Sequence, residues 1–341
     1  MTVFTVGDQN QFSLESSYRR GFEELGVQVR CFDIFRHQQA YIRLGAVGRL
    51  FHAFVPIETW QRKVNRDLAL AIMAEKPDLV LVFCNAPVLA GTLAFIRSLT
   101  AIPLVLVWPD PLLQLQAHLL PCAPLYSGVV TYSKATIPVF QRLGFQQVQW
   151  VPLAADPHLH SLAETNQPHT HDLSFIGAWR PERERILATI LHQFPALKLG
   201  IWGTNWHRAT HRSVRLLARK RPLRGKEYAE TIRASRINLN VIDDTGGPAA
   251  NMRFFELPMA RGLQLASRCP EFSDTYQHRQ HVLYFSSETD LAESVNWVLA
   301  HPKQAAEIRQ NGHELTRQQH TYRHRAEQLC QQMVFGPPTA P

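Results

Sequence analysis

The stretch NMRFFELPMARG places the carboxylate of Glu256 among large apolar side chains. Arg253 precedes this acid and Arg261 follows it, so a structural ion pair at a helix end is one interpretation. Asn251 belongs to the residue types that cap helix starts, and Gly262 to those that end helices. A helix start offers backbone amides to phosphate groups, and Arg253 would add a fixed cation there. The segment therefore predicts either an anion-binding helix start or a structural ion pair.

Sixteen histidines invite a metal-site interpretation, and His207 and His211 in HRATH could share one helix face. HRATH has neither the glutamate of a HExxH motif nor cysteine companions, so surface histidines are favoured and no metal site is expected. The surrounding run at 207–226, HRATHRSVRLLARKRPLRGK, is the most basic part of the chain. It could contact nucleic acid, anionic lipid or a diphosphate. It lacks interleaved aromatic residues and any nucleic-acid motif, which favours a solvated helical face or loop.

The composition is typical of a globular protein with enough apolar residues for two domains. The chain has 341 residues, of which 45% are hydrophobic and 19% charged. Its net charge of +8 fits an anionic partner such as a nucleotide, a phosphorylated substrate, nucleic acid or a membrane surface. The five cysteines are widely spaced without a CxxC pair, which favours a reducing cytoplasm over a disulfide framework or zinc module. No signal peptide is expected from MTVFTVGDQNQ, and no apolar run approaches a membrane span.

Apolar runs alternate with amphipathic stretches along the first part of the chain, which is the pattern of an open parallel sheet. TVFTV predicts a strand that stops at Gly7, and SLESSYRRGFEELG predicts a helix capped by Ser13 and ended by Gly26. Further strands are predicted for VQVRCFDI, DLVLVF, IPLVLVW and SGVVTYS, with helices between most of them.

Prolines, histidines and small polar residues at 153–171 indicate a linker, after which the alternation restarts. The second series of strands is predicted for LSFIGAW, LKLGIWG, INLNVI, LQLASRCP and VLYFSS. We therefore expect an α/β protein with two doubly wound Rossmann-like domains, at 1–152 and 172–330, and a tail at 331–341. Ligands of such sheets bind beyond the carboxyl ends of the strands, so a nucleotide in a central cleft that the two domains face is expected.

The order of these features resembles the CgeB-like glycosyltransferases, whose catalytic half is related to group-one glycosyltransferases of the GT-B fold. The resemblance is carried by KPDLVLVF, VLVWPDP, WVPLAADP, LSFIGAWRPERERIL, EYAETIRASRINLNV and NMRFFELPMARGLQLASRCPEF. Each motif is loose, but their order and spacing together are specific. The resemblance covers most of the chain and is strongest from Asp172 to about Leu329. It implies a GT-B fold and a sugar donor linked to UDP or GDP, with no cofactor besides that substrate.

The resemblance also implies where the donor binds. In the related enzymes the acid at the position of Glu256 accepts hydrogen bonds from both ribose hydroxyls, and a carboxylate can accept two such bonds from a vicinal diol. The strand end in GAWRPERER supplies a glycine turn and basic groups that face the diphosphate, where fixed cations hold developing charge. The same charges could merely face water. The donor-binding candidates are Glu256, Arg253, Asn251, Gly177, Arg180 and Arg183.

Two residues depart from the family pattern. Related group-one enzymes often carry an earlier acid in a Glu-x7-Glu spacing, whereas this chain has Pro248 at that position. Pro258 lies where a helix interior is expected, which predicts that the helix begins later or bends.

In GT-B enzymes the first strand-to-helix turn helps to frame the acceptor, so Ser16, Ser17 and Arg19 are acceptor-side candidates. Asp110 in WPDP corresponds to an acid of the family pattern, and an inverting enzyme would need such a carboxylate as general base near the acceptor hydroxyl. A retaining enzyme would not need it. Because Asp110 precedes Pro111, a turn residue is an equal alternative.

The sequence thus predicts a cytoplasmic, metal-independent glycosyltransferase that uses a nucleoside-diphosphate sugar. Its acceptor, whether glycan, protein or small molecule, is left undefined, nucleic acid is not expected as a partner, and a peripheral membrane contact stays open. The alternatives are a catalytically silent GT-B scaffold that binds a nucleotide, glycan or protein partner, and an epimerase on the same architecture.

Overall fold

A computed structural model describes residues 1–42, 45–54, 58–115, 117–163, 168–242 and 249–331. The chain forms two compact units. The first contains Met1–Pro152 and also the described residues from Tyr322 onward, and the second contains Leu153–Thr321. Each unit is built on one six-stranded sheet, in which neighbouring strands are parallel.

The first unit has the strand order β2-β1-β3-β4-β5-β6. Its strands are β1 (Thr2–Gly7), β2 (Gln28–Asp33), β3 (Leu79–Phe83), β4 (Leu104–Trp108), β5 (Gly128–Thr131) and β6 (Val148–Trp150). Its helices up to this point are α1 (Leu14–Glu24), α2 (Ile34–Tyr41), α3 (Gly45–Phe54), α4 (Glu58–Glu75), α5 (Ala90–Leu99) and α6 (Ile137–Arg142). The central strands β3 and β4 are buried along their whole length, as continuous apolar runs require in a sheet covered on both faces.

The second unit has the strand order β12-β11-β10-β7-β8-β9. Its strands are β7 (His171–Ile176), β8 (Leu199–Trp202), β9 (Ala218–Arg219), β10 (Ser235–Asn240), β11 (Gln264–Ser267) and β12 (Leu283–Phe285). Its helices are α7 (Pro157–His160), α8 (Pro181–Gln193), α9 (Arg212–Leu217), α10 (Gly225–Arg233), α11 (Met252–Met259), α12 (Glu288–Ala300) and α13 (Pro302–Gln319).

Helix α1 shows how local sequence signals set an element. Ser13 caps it by accepting a hydrogen bond from the backbone N–H of Ser16, as predicted. Gly26 follows the helix with φ of 73°, a conformation that glycine adopts without steric cost.

Helix α14 (Tyr322–Gln331) belongs to the first unit, whereas the sequence pattern predicts it in the domain at 172–330. It packs against α1, with the rings of Tyr18 and Tyr322 5.0 Å apart. The buried Arg325 donates a hydrogen bond of 2.9 Å to the carbonyl oxygen of Pro152. These contacts join segments that are distant in the sequence, so helical periodicity alone could not assign α14 to a unit.

The state of the cysteines and the character of the helices can be compared with what the sequence predicts. All five cysteines are free thiols, and Cys84, Cys122 and Cys269 are buried. Among the helices of the described residues, none combines the length and apolar character needed to cross a membrane.

The packing of α1 on α14 gives a first prediction. A Cβ atom at Gly21 would lie 2.4 Å from the carbonyl oxygen of Tyr322, so Gly21→Ala should destabilise the protein by about 1–3 kcal/mol through overpacking. Gly91, in helix α5, has no atom within 4 Å of the same added Cβ. Gly91→Ala is therefore the control and should be neutral or stabilising by up to about 1 kcal/mol. Urea unfolding of the two variants would contradict the close packing if both behaved alike.

Candidate functional site

The sheet of the second unit reverses its direction of growth between β7 and β10. The chain continues from β7 to β8 on one side, and from β10 to β11 on the other. Ligands of doubly wound sheets bind beyond the carboxyl ends of the strands at such a switch point. Gly177 follows β7 here, Asn240 ends β10, and α11 begins shortly after it. Residues 243–248, which include Pro248, lie outside the described residues.

Asn251 fixes the start of α11 beside this switch point. Its Oδ1 atom accepts a hydrogen bond of 3.1 Å from the backbone N–H of Phe254, which confirms the predicted helix cap. Asn251 also exchanges two side-chain hydrogen bonds with Asn240, of 2.9 and 3.1 Å. The helix start is therefore tied directly to the end of β10.

Helix α11 begins at Met252 and continues through Pro258, so the predicted later start is wrong. Pro258 lies in the last turn of α11, one residue before the helix ends at Met259. The helix ends in a Schellman motif: Arg261 has φ of 59°, and the N–H of Gly262 donates to the carbonyl of Leu257 at 2.9 Å. Arg261 rather than Gly262 thus takes the left-handed position.

Glu256 lies on α11 with only 9% of its surface exposed. The hydroxyl of Tyr228, on α10, donates a 2.7 Å hydrogen bond to its Oε2 atom. The Nε2 atom of His160, on α7, lies 3.8 Å from Oε1. Within the described residues the carboxylate is therefore engaged by Tyr228 and His160 rather than by an arginine. Arg261 instead donates to Oε1 of Gln310 at 3.2 Å.

The hydrogen-bonding roles of Tyr228 and His160 follow from their surroundings. Burial and then the negative charge of Glu256 raise the pKa of Tyr228 well above its ordinary value, although the nearby Arg253 lowers it. Tyr228 therefore keeps its proton and remains a donor. The Nδ1 atom of His160 accepts the backbone N–H of Asp156 at 3.4 Å, which leaves Nε2 as the donor of the ring.

The turn after β7 is held together from within the unit. The N–H of Gly177 donates to the carbonyl of Trp202 at 2.8 Å, and its own carbonyl accepts from Nε1 of Trp206 at 2.8 Å. A Cβ atom at Gly203 would lie 1.9 Å from this carbonyl oxygen. Both backbone groups of Gly177 thus have partners in the protein, and the two glycines permit close packing.

The two arginines predicted near this turn differ in position. Arg183 is 8% exposed, donates to the carbonyl of Ala178 at 2.9 Å and lies over the ring of Phe175 at 5.9 Å. It supports the turn from inside. Arg180 is only partly buried and immediately precedes α8, so it is the more exposed of these two cations.

Glu184 is a residue that sequence reasoning missed. Its buried carboxylate accepts hydrogen bonds from Nε1 of Trp179 at 2.6 Å, from the N–H of His211 at 2.6 Å, and from the N–H and hydroxyl of Thr210 at 2.7 and 2.9 Å. Burial favours protonation, but these hydrogen bonds outweigh it and hold the pKa of Glu184 below its ordinary value. Glu184 thereby ties the turn after β7 to the basic run at 207–226.

The basic run packs partly on aromatic residues of its own unit. Arg208 lies 4.8 Å from the ring centroid of Trp179, and Arg219 lies 5.1 Å from that of Trp202. Its two histidines do not share a helix face, because His207 is in a short 3-10 turn and His211 precedes α9. The aromatic partners come from other parts of the sequence, so the composition of the run could not reveal them.

In the first unit the corresponding switch point lies between β1 and β3. Glu15, in the first turn of α1, is buried and accepts the backbone N–H of Asp8 at 3.1 Å. A Cβ atom at Gly7, the last residue of β1, would lie 2.4 Å from Oε1 of Glu15. Burial raises the pKa of Glu15. In the sequence, Glu15 is recognisable only as the second residue after the helix cap Ser13. That position does not reveal that the Glu15 side chain packs against the end of β1.

Asp110 lies just beyond β4, as predicted, and its Oδ2 accepts a hydrogen bond of 3.3 Å from the thiol of Cys84. Burial, then the negative charges of Asp110 and Glu15, raise the pKa of Cys84. The carboxyl ends of β1, β3 and β4 therefore bring two acids and a protonated thiol into electrostatic contact.

The acceptor-side candidates on α1 are less open. Ser16 and Ser17 are buried, and the hydroxyl of Ser17 donates to the carbonyl of Ser13 at 3.3 Å. Arg19 forms an ion pair with Glu23, 3.9 Å away. Their proposed contact with an acceptor stays a prediction.

A pocket of about 360 Å³ that sequence reasoning missed lies beyond β11 and β12. Its lining includes Arg268, His278, Arg279, Tyr284 and Asp290. Across the described ranges, no group of three or more His, Cys, Asp or Glu side chains is placed to hold a metal ion.

Comparisons with known proteins bear on this architecture. A solved structure of Anabaena Alr3699/HepE in complex with UDP-glucose covers 98% of this chain and 99% of that one, with TM-score 0.65 and 13% identity. The glycosyltransferase AviGT4 of avilamycin A biosynthesis covers 100% and 99%, with TM-score 0.63 and 14% identity. Sucrose-phosphate synthase from Thermosynechococcus elongatus covers 98% and 98%, with TM-score 0.62 and 12% identity. The chain has the GT-B fold. At these identities the likeness shows the fold alone, and it confirms the expected fold class.

The GT-B chain also shows a family likeness in sequence. Residues 180–331, less than half of the chain, match the family model described as glycosyl transferase-like. No curated relative matches the sequence. The matched range contains α11 with Glu256 and the start of α8 with Arg183 and Glu184.

The hydrogen bonds of Glu184 give a second prediction. Glu184→Gln places an amide N–H₂ group toward backbone donors and should cost about 1–3 kcal/mol of unfolding free energy near pH 7. The folded-state pKa lies below the ordinary value of 4.5, so the contribution is present above that pH and is lost as pH falls through the folded pKa. The gap between parent and variant should therefore shrink under acid. Glu182→Gln, an exposed change in the same turn, is the control for urea unfolding at pH 7 and pH 4, and a gap constant with pH would contradict the assignment.

Proposed function

We propose that this protein is a group-one-related glycosyltransferase that transfers a sugar from a nucleoside-diphosphate donor. Three observations support the proposal: the glycosyl transferase-like match of residues 180–331, the GT-B fold, and the surroundings of Glu256. The last of these carries it. A buried carboxylate has one oxygen fixed by Tyr228 and stands one turn beyond a capped helix start at the switch point.

In this proposal the second unit binds the donor. Glu256 accepts hydrogen bonds from the ribose hydroxyls, which is a strong interaction because the acceptor is charged and largely removed from water. The amides at the start of α11, which Asn251 caps, face the diphosphate together with Arg253 and Arg180. UDP-glucose is the first donor to test, because Alr3699/HepE of the same fold was solved in complex with it.

The first unit supplies proton-transfer groups to the acceptor. In an inverting transfer, Asp110 removes the proton of the acceptor hydroxyl, and the acceptor oxygen bonds to the anomeric carbon of the sugar as the bond from that carbon to the diphosphate breaks. The negative charge that develops on the departing diphosphate is held by the arginines of the donor site. Glu15, whose pKa is raised by burial, is a second acid in electrostatic contact with the same cluster.

Finer parts of the proposal rest on the sequence. The order of the motifs supports membership of the CgeB-like subfamily. The basic residues of the proposed donor site support metal-independent catalysis, with arginines in place of a metal ion, and the widely spaced cysteines support a cytoplasmic location. The acceptor is a glycan, a protein or a small molecule, and the donor base is uracil or guanine.

The donor site gives a third prediction. Glu256→Ala should weaken the binding of UDP about 10- to 100-fold, because the ribose loses a charge-assisted hydrogen bond. Isothermal titration calorimetry measures this directly, with GDP as the second nucleotide. Glu307→Gln, an exposed change on α13, is the control and should bind like the parent. Equal affinity of Glu256→Ala and parent would refute the donor site.

The proposed base gives a fourth prediction. Asp110→Asn should leave UDP affinity unchanged but slow the release of UDP from UDP-glucose at least about 100-fold in an inverting enzyme, since general base catalysis contributes 10²–10⁴. Coupled detection of UDP measures the slow hydrolysis without a known acceptor. Unchanged release in Asp110→Asn would exclude Asp110 as base. A parent that binds UDP but turns over no sugar nucleotide would favour the silent scaffold.

A further inference from the structure

The two oxygens of the Glu256 carboxylate have different partners. Oε2 accepts the hydroxyl of Tyr228 at 2.7 Å, which is a full hydrogen bond. Oε1 lies 3.8 Å from Nε2 of His160, which is too far for one. The side chains of His160 and Glu256 keep exposed fractions of 8% and 12%. The two side chains are thus almost buried, but no direct hydrogen bond joins them.

The atoms on either side of the 3.8 Å gap between His160 and Glu256 determine which chemical group of a ligand can bind there. The Nε2 atom of His160 carries a hydrogen, because its Nδ1 accepts the N–H of Asp156. Oε1 of Glu256 is an acceptor. A hydroxyl is the group that can accept from one neighbour and donate to the other at once. An oxygen about 2.8 Å from each atom spans the gap, since 3.8 Å is less than twice that distance.

We propose that one ribose hydroxyl of the donor nucleotide bridges His160 and Glu256, accepting from Nε2–H and donating to Oε1. This rests on the proposed function and adds to it a second ribose-binding residue, His160. Tyr228 acts as a positioning residue. Its hydroxyl fixes Oε2, and its ring packs edge-on against the His160 ring, with centroids 5.7 Å apart.

The bridge makes the site specific for ribonucleotides. A 2′- or 3′-deoxy nucleotide that lacks the bridging hydroxyl leaves a partly buried donor and a partly buried charged acceptor without their partner. Sites built to hydrogen-bond a hydroxyl reject analogues without it for this reason. Loss of a purely structural contact would weaken the binding of ribo- and deoxynucleotides equally.

The test compares the affinities of UDP, 2′-deoxy-UDP and 3′-deoxy-UDP by calorimetry, or of the GDP series if GDP raises the melting temperature more. The parent should prefer the ribonucleotide over one deoxy form about 10- to 100-fold, which identifies the bridging hydroxyl. His160→Phe, which keeps a ring but removes Nε2–H, should bring this ratio near one. His160→Gln retains a donor and should restore part of it.

Tyr228→Phe should lower both the ribonucleotide affinity and the ratio, because Oε2 loses its fixed partner. The matched control is Tyr276→Phe, which removes a buried hydroxyl bonded to Oγ1 of Thr316 at 2.8 Å in the same unit. It should keep the ratio whatever it does to stability. If His160→Phe does not fold, the test rests on His160→Gln and Tyr228→Phe. The bridge is overturned if both variants keep the parental ratio of ribonucleotide to deoxynucleotide affinity.

The outcomes separate this inference from the proposed function. An unchanged ratio in His160→Phe, together with lost binding in Glu256→Ala, overturns the bridge and leaves the donor site intact. A parent that binds neither UDP nor GDP overturns both.

Discussion

A carboxylate that is nine-tenths removed from water must find partners, and the arrangement around Glu256 follows from that constraint. An ionised group in such a place is costly unless it is hydrogen-bonded. Tyr228 provides one donor and His160 approaches the other oxygen, so helices α7, α10 and α11 meet at this acid. The distance from His160 to Oε1 is too long for a direct hydrogen bond, and the proposed ribose hydroxyl supplies the hydrogen bond to Oε1.

Parallel topology explains why functional candidates in both units collect at strand ends. In each sheet a pair of adjacent strands leads the chain in opposite directions, and the loops beyond their carboxyl ends diverge. The two units fill this place with different chemistry. The second has a capped helix start and arginines, whereas the first has the acids Glu15 and Asp110 beside the protonated thiol of Cys84.

Several polar groups near the switch point of the second unit form hydrogen bonds within the protein and stabilise its fold. The backbone of Gly177 is bonded to tryptophan neighbours, Arg183 supports the same turn, and Glu184 binds the segment that opens the basic run. Arg180 follows this turn and immediately precedes α8. Preorganised cations are worth more to a transfer reaction than mobile ones, because no reorganisation is needed as charge develops.

The sequence by itself determined those structural features that depend on interactions between residues close together in the chain. The alternation of strands and helices, the caps Ser13 and Asn251, and the place of Glu256 on a helix all follow from residues within a few positions of one another. Asp110 beyond a strand end belongs with them. Together with the family resemblance, this was enough to predict the fold class.

Only the tertiary structure decided which distant groups meet. Tyr228 reaches Glu256 across 28 positions of sequence, and α14 joins the first unit although it follows the second. Glu184 finds Thr210 and His211 in the same way. Such partners are chosen by the packing of whole elements against a sheet, and side-chain spacing within one helix carries no information about it.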